Sequence, residues 1–65
     1  MNVEMRVARI RESLSQHRLS SMTGINQTLI SMFEQGYRKP NRNQAQAIAK
    51  TLRVKVDNIF PEVKE

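Results

Sequence analysis

QHRLSSMTGINQTLISMFEQG, residues 16–36, holds two short amphipathic segments around the turn sequence Thr23-Gly24-Ile25. At 100° per residue, Leu29, Ile30 and Phe33 fall on one side of the second segment. Gln27, Thr28, Ser31 and Gln35 collect on the other, with Met32 at its edge. Gly24 ends the first segment, because glycine accepts the left-handed backbone of a sharp turn. Asn26 opens the second, its side-chain oxygen free to accept from first-turn N–H groups. Small Ser20 stands where two helices would touch, and Ile25, Ile30 and Phe33 form their shared seam. A helix face that merely meets solvent usually mixes Lys and Glu. This one offers amides, hydroxyls and a thioether instead.

Outward from this unit, the periodicity predicts helices almost throughout. Val3, Val7, Ile10 and Leu14 form an apolar stripe for a first helix. Ser13 to Gln16 has the S-x-x-Q form of a capping box, with Ser15 a second candidate cap. The second helix then runs to about Thr23 and buries Leu19 and Met22; the third stops at Gly36. Residues 37–40, YRKP, make a basic loop, and Asn41 caps a fourth helix with a stripe of Ala45, Ile48, Ala49 and Leu52. A short fifth turn over residues 56–60 ends before Pro61. The expected fold is all-α: a compact bundle of five short helices in a single domain, residues 1–65. Its expected core is Val7, Ile10, Leu14, Leu19, Met22, Ile25, Ile30, Phe33, Ala45, Ile48, Ala49, Leu52, Val54, Val56, Ile59 and Phe60.

Composition narrows the function classes. With no cysteine and only His17 among imidazoles, neither a disulfide nor a metal site is expected. His17 reads as a surface residue, and Ser20 and Ser21 have no base arranged to activate them. No apolar run approaches the roughly 20 residues of a membrane span. The expectation is a cytoplasmic, non-enzymatic protein without cofactor or small-molecule ligand. The 11 Lys and Arg outnumber the 6 Asp and Glu, for a net charge of +5. Between Ser13 and Val56 the only acid is Glu34, against Arg18, Arg38, Lys39, Arg42, Lys50, Arg53 and Lys55. That asymmetry fits a polyanionic partner, nucleic acid before membrane.

Two helices joined by a glycine turn, the second with an uncharged outer face, make the helix-turn-helix pattern, whose second helix enters the DNA major groove. The chain resembles the Cro/lambda-repressor-like (XRE-type) regulators. The resemblance is carried by Leu14-Ser15-Gln16, Leu19, Thr23-Gly24-Ile25-Asn26, Ile30-Ser31, Phe33-Glu34, Gly36 and Pro40. It continues through Ala45, Ile48-Ala49-Lys50, Leu52, Val54 and Asp57 to Phe60. The resemblance implies that Gln16 contacts a phosphate and buttresses the recognition helix. Gln27, Thr28, Ser31 and Met32 occupy positions where family members read bases. Asn26 and Gln35 lie near the DNA backbone, and Arg38 and Lys39 match the phosphate-gripping loop, with Arg42 on the same flank. Glu34 matches a structural acid paired with an arginine of the first helix. An ungapped count makes that arginine Arg9; the Val7/Ile10 stripe makes it Arg11, and the stripe is followed here.

Chemistry agrees with these positions. Gln27 suits adenine N6 and N7, Thr28 and Ser31 can donate or accept, and Met32 can pack on a thymine methyl. Cations belong on the flanks, where they bind phosphates without reading sequence. Two departures from the family pattern stand out. Arg53 occupies a site where glycine is favoured, and Leu29 a site that is more often polar. The expected function is a sequence-specific transcriptional regulator, a repressor of phage or mobile-element type. It would bind an inverted-repeat, double-stranded DNA operator as a homodimer. The expected dimer surface is Val54, Val56, Phe60 and Val63, with the rear of the first helix, Met1 and Met5, second. The alternative is an antitoxin-like or antirepressor-like protein-interaction module on the same fold.

Overall fold

Helix boundaries in this chain are written by its caps. In the computed structural model, which describes residues 1–63, α1 spans Val3–Arg11, α2 Gln16–Thr23, α3 Gln27–Gln35, α4 Arg42–Leu52 and α5 Val56–Ile59. Asn2, Ser15, Asn26 and Asn41 cap the first four, each accepting from a backbone N–H of the first turn. Asn41 and Gln44 form a reciprocal capping box, with 2.8 and 3.0 Å bonds. Gly24 (φ 73°) and Gly36 (φ 78°) stop α2 and α3 in the left-handed conformation. At Gly36 a side chain would also meet the backbone of Met1, whose nitrogen lies 3.3 Å from where a β-carbon would stand.

Two more helices end the same way without glycine. Arg53 (φ 60°) closes α4: its N–H donates to Lys50 O at 3.2 Å and the Val54 N–H to Ala49 O at 3.0 Å. Those paired 5→2 and 6→1 bonds are a Schellman motif, and it requires a left-handed residue at its centre. Ser13 (φ 56°) does the same for α1, with Ser13 N–H donating to Ile10 O and Leu14 N–H to Arg9 O. The expected Ser13 capping box is therefore corrected. Ser13 is the stop of the first helix, and Ser15 caps the second, accepting from the Arg18 N–H at 2.9 Å.

The core gathers Leu19, Ile25, Ile30, Phe33, Ala45, Ile48, Ala49, Leu52, Val56, Ile59 and Phe60 with Met5 and Ala8 of α1. Phe33 and Phe60 meet edge to face, 6.2 Å between ring centroids at 80°; such a contact adds about 0.5–1.5 kcal/mol beyond area burial. Leu14, Leu29, Val54 and Val63 pack partly buried around this centre.

The first helix departs from expectation by half a turn. Val3, Val7 and Ile10 are 51, 41 and 56% exposed, and Met5 and Ala8 face inward instead. Polar anchors set this phase. Asn2 donates from its amide side chain to Ile59 O at 2.6 Å and from its backbone to Glu34 O at 2.7 Å. Arg9, one turn beyond Met5, reaches Glu34 from the same inner side. Leu14 leaves the stripe because the chain reverses at Ser13 and returns it to the core separately. Met22 is likewise exposed, on the outer face of α2.

Candidate nucleic-acid interface

The α2–turn–α3 unit is held from inside by one carboxylate. Glu34, on the inner face of α3, is 5% exposed. Its Oε2 accepts from Arg9 Nε at 2.6 Å and its Oε1 from Arg9 Nη2 at 3.4 Å and from Gln16 Nε2 at 3.2 Å. Arg9 also donates from Nη1 to Leu14 O at 2.7 Å, holding the link between α1 and α2. One acid of α3 is thereby tied to both preceding helices. Removing a single partner from a buried pair of this kind costs about 3–5 kcal/mol. The arginine is Arg9, so the expectation of Arg11 is corrected. Once α1 turns its Met5/Ala8 side inward, Arg11 projects to solvent.

The turn is closed by hydroxyls. Ser20 donates to Ile25 O, Thr23 Oγ1 donates to Leu19 O at 2.8 Å, and the Ile25 N–H donates back to Thr23 Oγ1 at 3.2 Å. These bonds satisfy backbone groups that the glycine turn would otherwise leave unpaired.

On the outer side, Gln16, Gln27, Thr28, Ser31, Met32, Gln35 and Tyr37 line one shallow groove. It contains no formal charge. Gln27 and Thr28 are exposed; Ser31 and Met32 are half-buried at its floor. Gln35 Nε2 donates to Ser31 Oγ at 3.2 Å, so this amide and hydroxyl form one polar unit. Asn26 is occupied by its own helix, accepting from the Thr28 N–H at 2.7 Å. Leu29 is half-buried and packs against the core, which accounts for an apolar residue at that position.

Arg38 and Lys39 lie outside this groove, exposed on the loop after α3. They line a neighbouring concavity with Met1, Asn2 and the buried Pro40. Arg42 opens α4, next in the chain after its Asn41 cap, so its charge joins the positive end of that helix dipole. Tyr37 is the groove residue missed in the sequence. It is 79% exposed, and its N–H donates to Met32 O at 3.0 Å, completing the Schellman turn that swings its ring beside α3. Only its place directly after Gly36 could have signalled this.

Of the expected dimer residues, Val56 and Phe60 are 3 and 1% exposed within one chain, so they are core and unavailable to a partner. Met5 is fully buried for the same reason. Val54 and Val63 remain partly exposed. Among the described residues, no helix is long and apolar enough to cross a membrane.

Comparison with known proteins agrees with this geometry. A family model described as helix-turn-helix matches residues 5–59, most of the chain. No curated protein and no solved structure gave a match. The matched segment contains the α2–α3 pair, the Glu34 clamp and the whole basic loop, together with nearly all of the core. The chain belongs to the XRE/Cro-like helix-turn-helix family of DNA-binding regulatory domains.

Proposed function

We propose that this protein is a sequence-specific transcriptional repressor that inserts α3 into the major groove of an inverted-repeat operator as a homodimer. The observation that carries the proposal is the uncharged groove of Gln16, Gln27, Thr28, Ser31, Met32, Gln35 and Tyr37, flanked by exposed Arg38 and Lys39. Base edges are read by amides, hydroxyls and methyl contacts, and phosphates by cations. In this reading Gln27, Thr28, Ser31 and Met32 face bases. Gln16, Asn26, Gln35, Arg38, Lys39 and Arg42 follow the backbone. Repression is steric, because a bound domain of this size covers its operator and needs no further surface. A bacterial or phage-encoded protein acting in the cytoplasm fits this role.

A homodimer follows from affinity. One small module makes few base contacts, and a two-fold operator doubles them. The test is selection from a randomised duplex library at near-physiological salt. The expected result is an enriched inverted repeat with half-sites about one helical turn apart. A single enriched half-site would remove the dimer and keep the DNA reading. Binding without any enrichment, lost as salt rises, would refute sequence-specific recognition.

A further inference from the structure

The outer face of α1 is apolar and uncovered. Val3, Val7 and Ile10, at i, i+4 and i+7, are each about half exposed, in a domain whose core lies on the opposite side of the same helix. The Val3/Val7 side of the stripe continues into a groove shared by Glu4, Ala8 and Arg11 of α1 with Val54, Asn58 and Ile59. A monomer gains nothing from leaving three large aliphatic side chains in water along one line.

The charges beside the stripe point to what covers it. Glu4 and Arg11 are seven residues apart, nearly two full turns, so they stand on the same flank of the helix. Their midpoint lies beside Val7, the centre of the stripe. Neither makes an ion pair among the described residues. When two antiparallel helices are related by a two-fold axis, the same flank of each faces its counterpart with the direction reversed. Glu4 of one copy then meets Arg11 of the other, twice, while Val3, Val7 and Ile10 pack across the axis. A parallel two-fold contact would turn opposite flanks together, setting Glu4 of one helix beside Arg6 of the other and leaving Arg11 without an acid.

We propose that α1 forms an antiparallel two-fold contact with α1 of a second copy of this chain, centred on Val7 and closed by two Glu4–Arg11 pairs. It takes from the proposed function only that the protein acts as a homodimer, and names the surface. Arg6, on the opposite flank, faces its own counterpart across the axis, and the apolar strip is one short helix long. Both features make the contact weak, formed at high concentration. Stable interfaces bury on the order of 800 Å² per partner, a large share of a chain whose whole accessible surface is 4402 Å².

The experiment is sedimentation equilibrium of the full chain from micromolar to millimolar, with folding of each variant checked by circular dichroism. The wild type should dimerise reversibly. Val7→Glu, which places a carboxylate at the two-fold axis on an exposed site, should raise the dissociation constant at least tenfold. Glu4→Arg and Arg11→Glu should each weaken association, and an equimolar mixture of the two should associate more tightly than either alone. A monomeric wild type, a dimer indifferent to Val7→Glu, or a mixture no tighter than its components would overturn the proposal. Binding of Val7→Glu to a single half-site duplex is measured in parallel. The Val7 face is not part of the α3 groove, so that binding should persist, and its loss in every variant would count against the DNA reading instead.

Discussion

Arg53→Gly should stabilise this protein, although it deletes a charged side chain and an ion pair. Arg53 sits at φ 60° and ψ 42°, the left-handed centre of the motif that ends α4. A residue with a β-carbon loses about 1–2 kcal/mol there relative to right-handed backbone. Glycine escapes that strain but gives back about 0.5–1 kcal/mol through the greater freedom of the unfolded chain. The ion pair lost is Arg53 Nε to Glu12 Oε1 at 3.7 Å, with the arginine side chain 83% exposed. A pair so open to solvent contributes only a few tenths of a kcal/mol. The net expectation is a gain of about 0.5 kcal/mol, and for so small a domain roughly 2–4 °C in melting temperature. Arg53→Ala separates the contributions: it loses the pair and keeps the strain, so it should melt slightly below wild type. Thermal melts by calorimetry, with urea titrations for the free energies, should rank glycine above arginine and arginine at or above alanine. If alanine matched glycine, the left-handed strain assigned to residue 53 would be wrong.

Other expectations follow from the clamp and the groove. Arg9→Met should cost about 3 kcal/mol by leaving Glu34 buried without a cation, and Arg9→Met with Glu34→Leu should recover most of it. Simple addition of the two single losses in urea titrations would argue against a coupled pair. Gln27→Ala should relax preference at one base pair, costing about 1–3 kcal/mol on the preferred sequence, as read from binding to a panel of singly substituted operators. Lys39→Ala should instead weaken all sequences alike and flatten the salt dependence by roughly one counterion. Uniform losses from both variants would refute the division between base and phosphate contacts.

How much of this was legible in the sequence depended on whether the deciding interaction was local. Asn26, Gly24, Gly36 and Asn41 act on backbone groups within a few residues, and each stands at the helix end expected of it. The α4 stripe was legible for a related reason: its apolar side is also its inner side. The phase of α1 was not. Its apolar line is the better stripe on paper, yet the helix is oriented by Asn2 and Arg9 bonding to Ile59 and Glu34, residues far along the chain. Periodicity ranks side chains by hydrophobicity and is blind to a distant carboxylate. The same blindness chose Arg11 over Arg9 and placed Val7 and Ile10 in the core. Ser13 misled differently, because serine at the start of an S-x-x-Q run is a strong cap signal and a rare helix stop. In the groove, the polar side of α3 was legible from 100° spacing alone. Tyr37 was not, because only the Schellman turn at Gly36 sets its ring beside that face.

Glu34 explains how so small a domain can hold α3 still. The outer face of α3 must stay free of packing contacts if it is to enter a groove, so every restraint on that helix has to come from its other side or its ends. Ile30 and Phe33 supply burial, which resists separation but only weakly resists sliding or rotation about the helix axis. A carboxylate held by a guanidinium of α1 and an amide of α2 is directional, so rotation of α3 about its axis disturbs bonds to both neighbouring helices. Gln16 stands at the junction: it bonds Glu34 inside and lines the charge-free groove outside. A ligand that drew Gln16 outward would therefore be felt at Glu34 and Arg9. The buried ion pair is best understood as the device that fixes the register of α3 against the bundle, with net stability left to the aliphatic core around it.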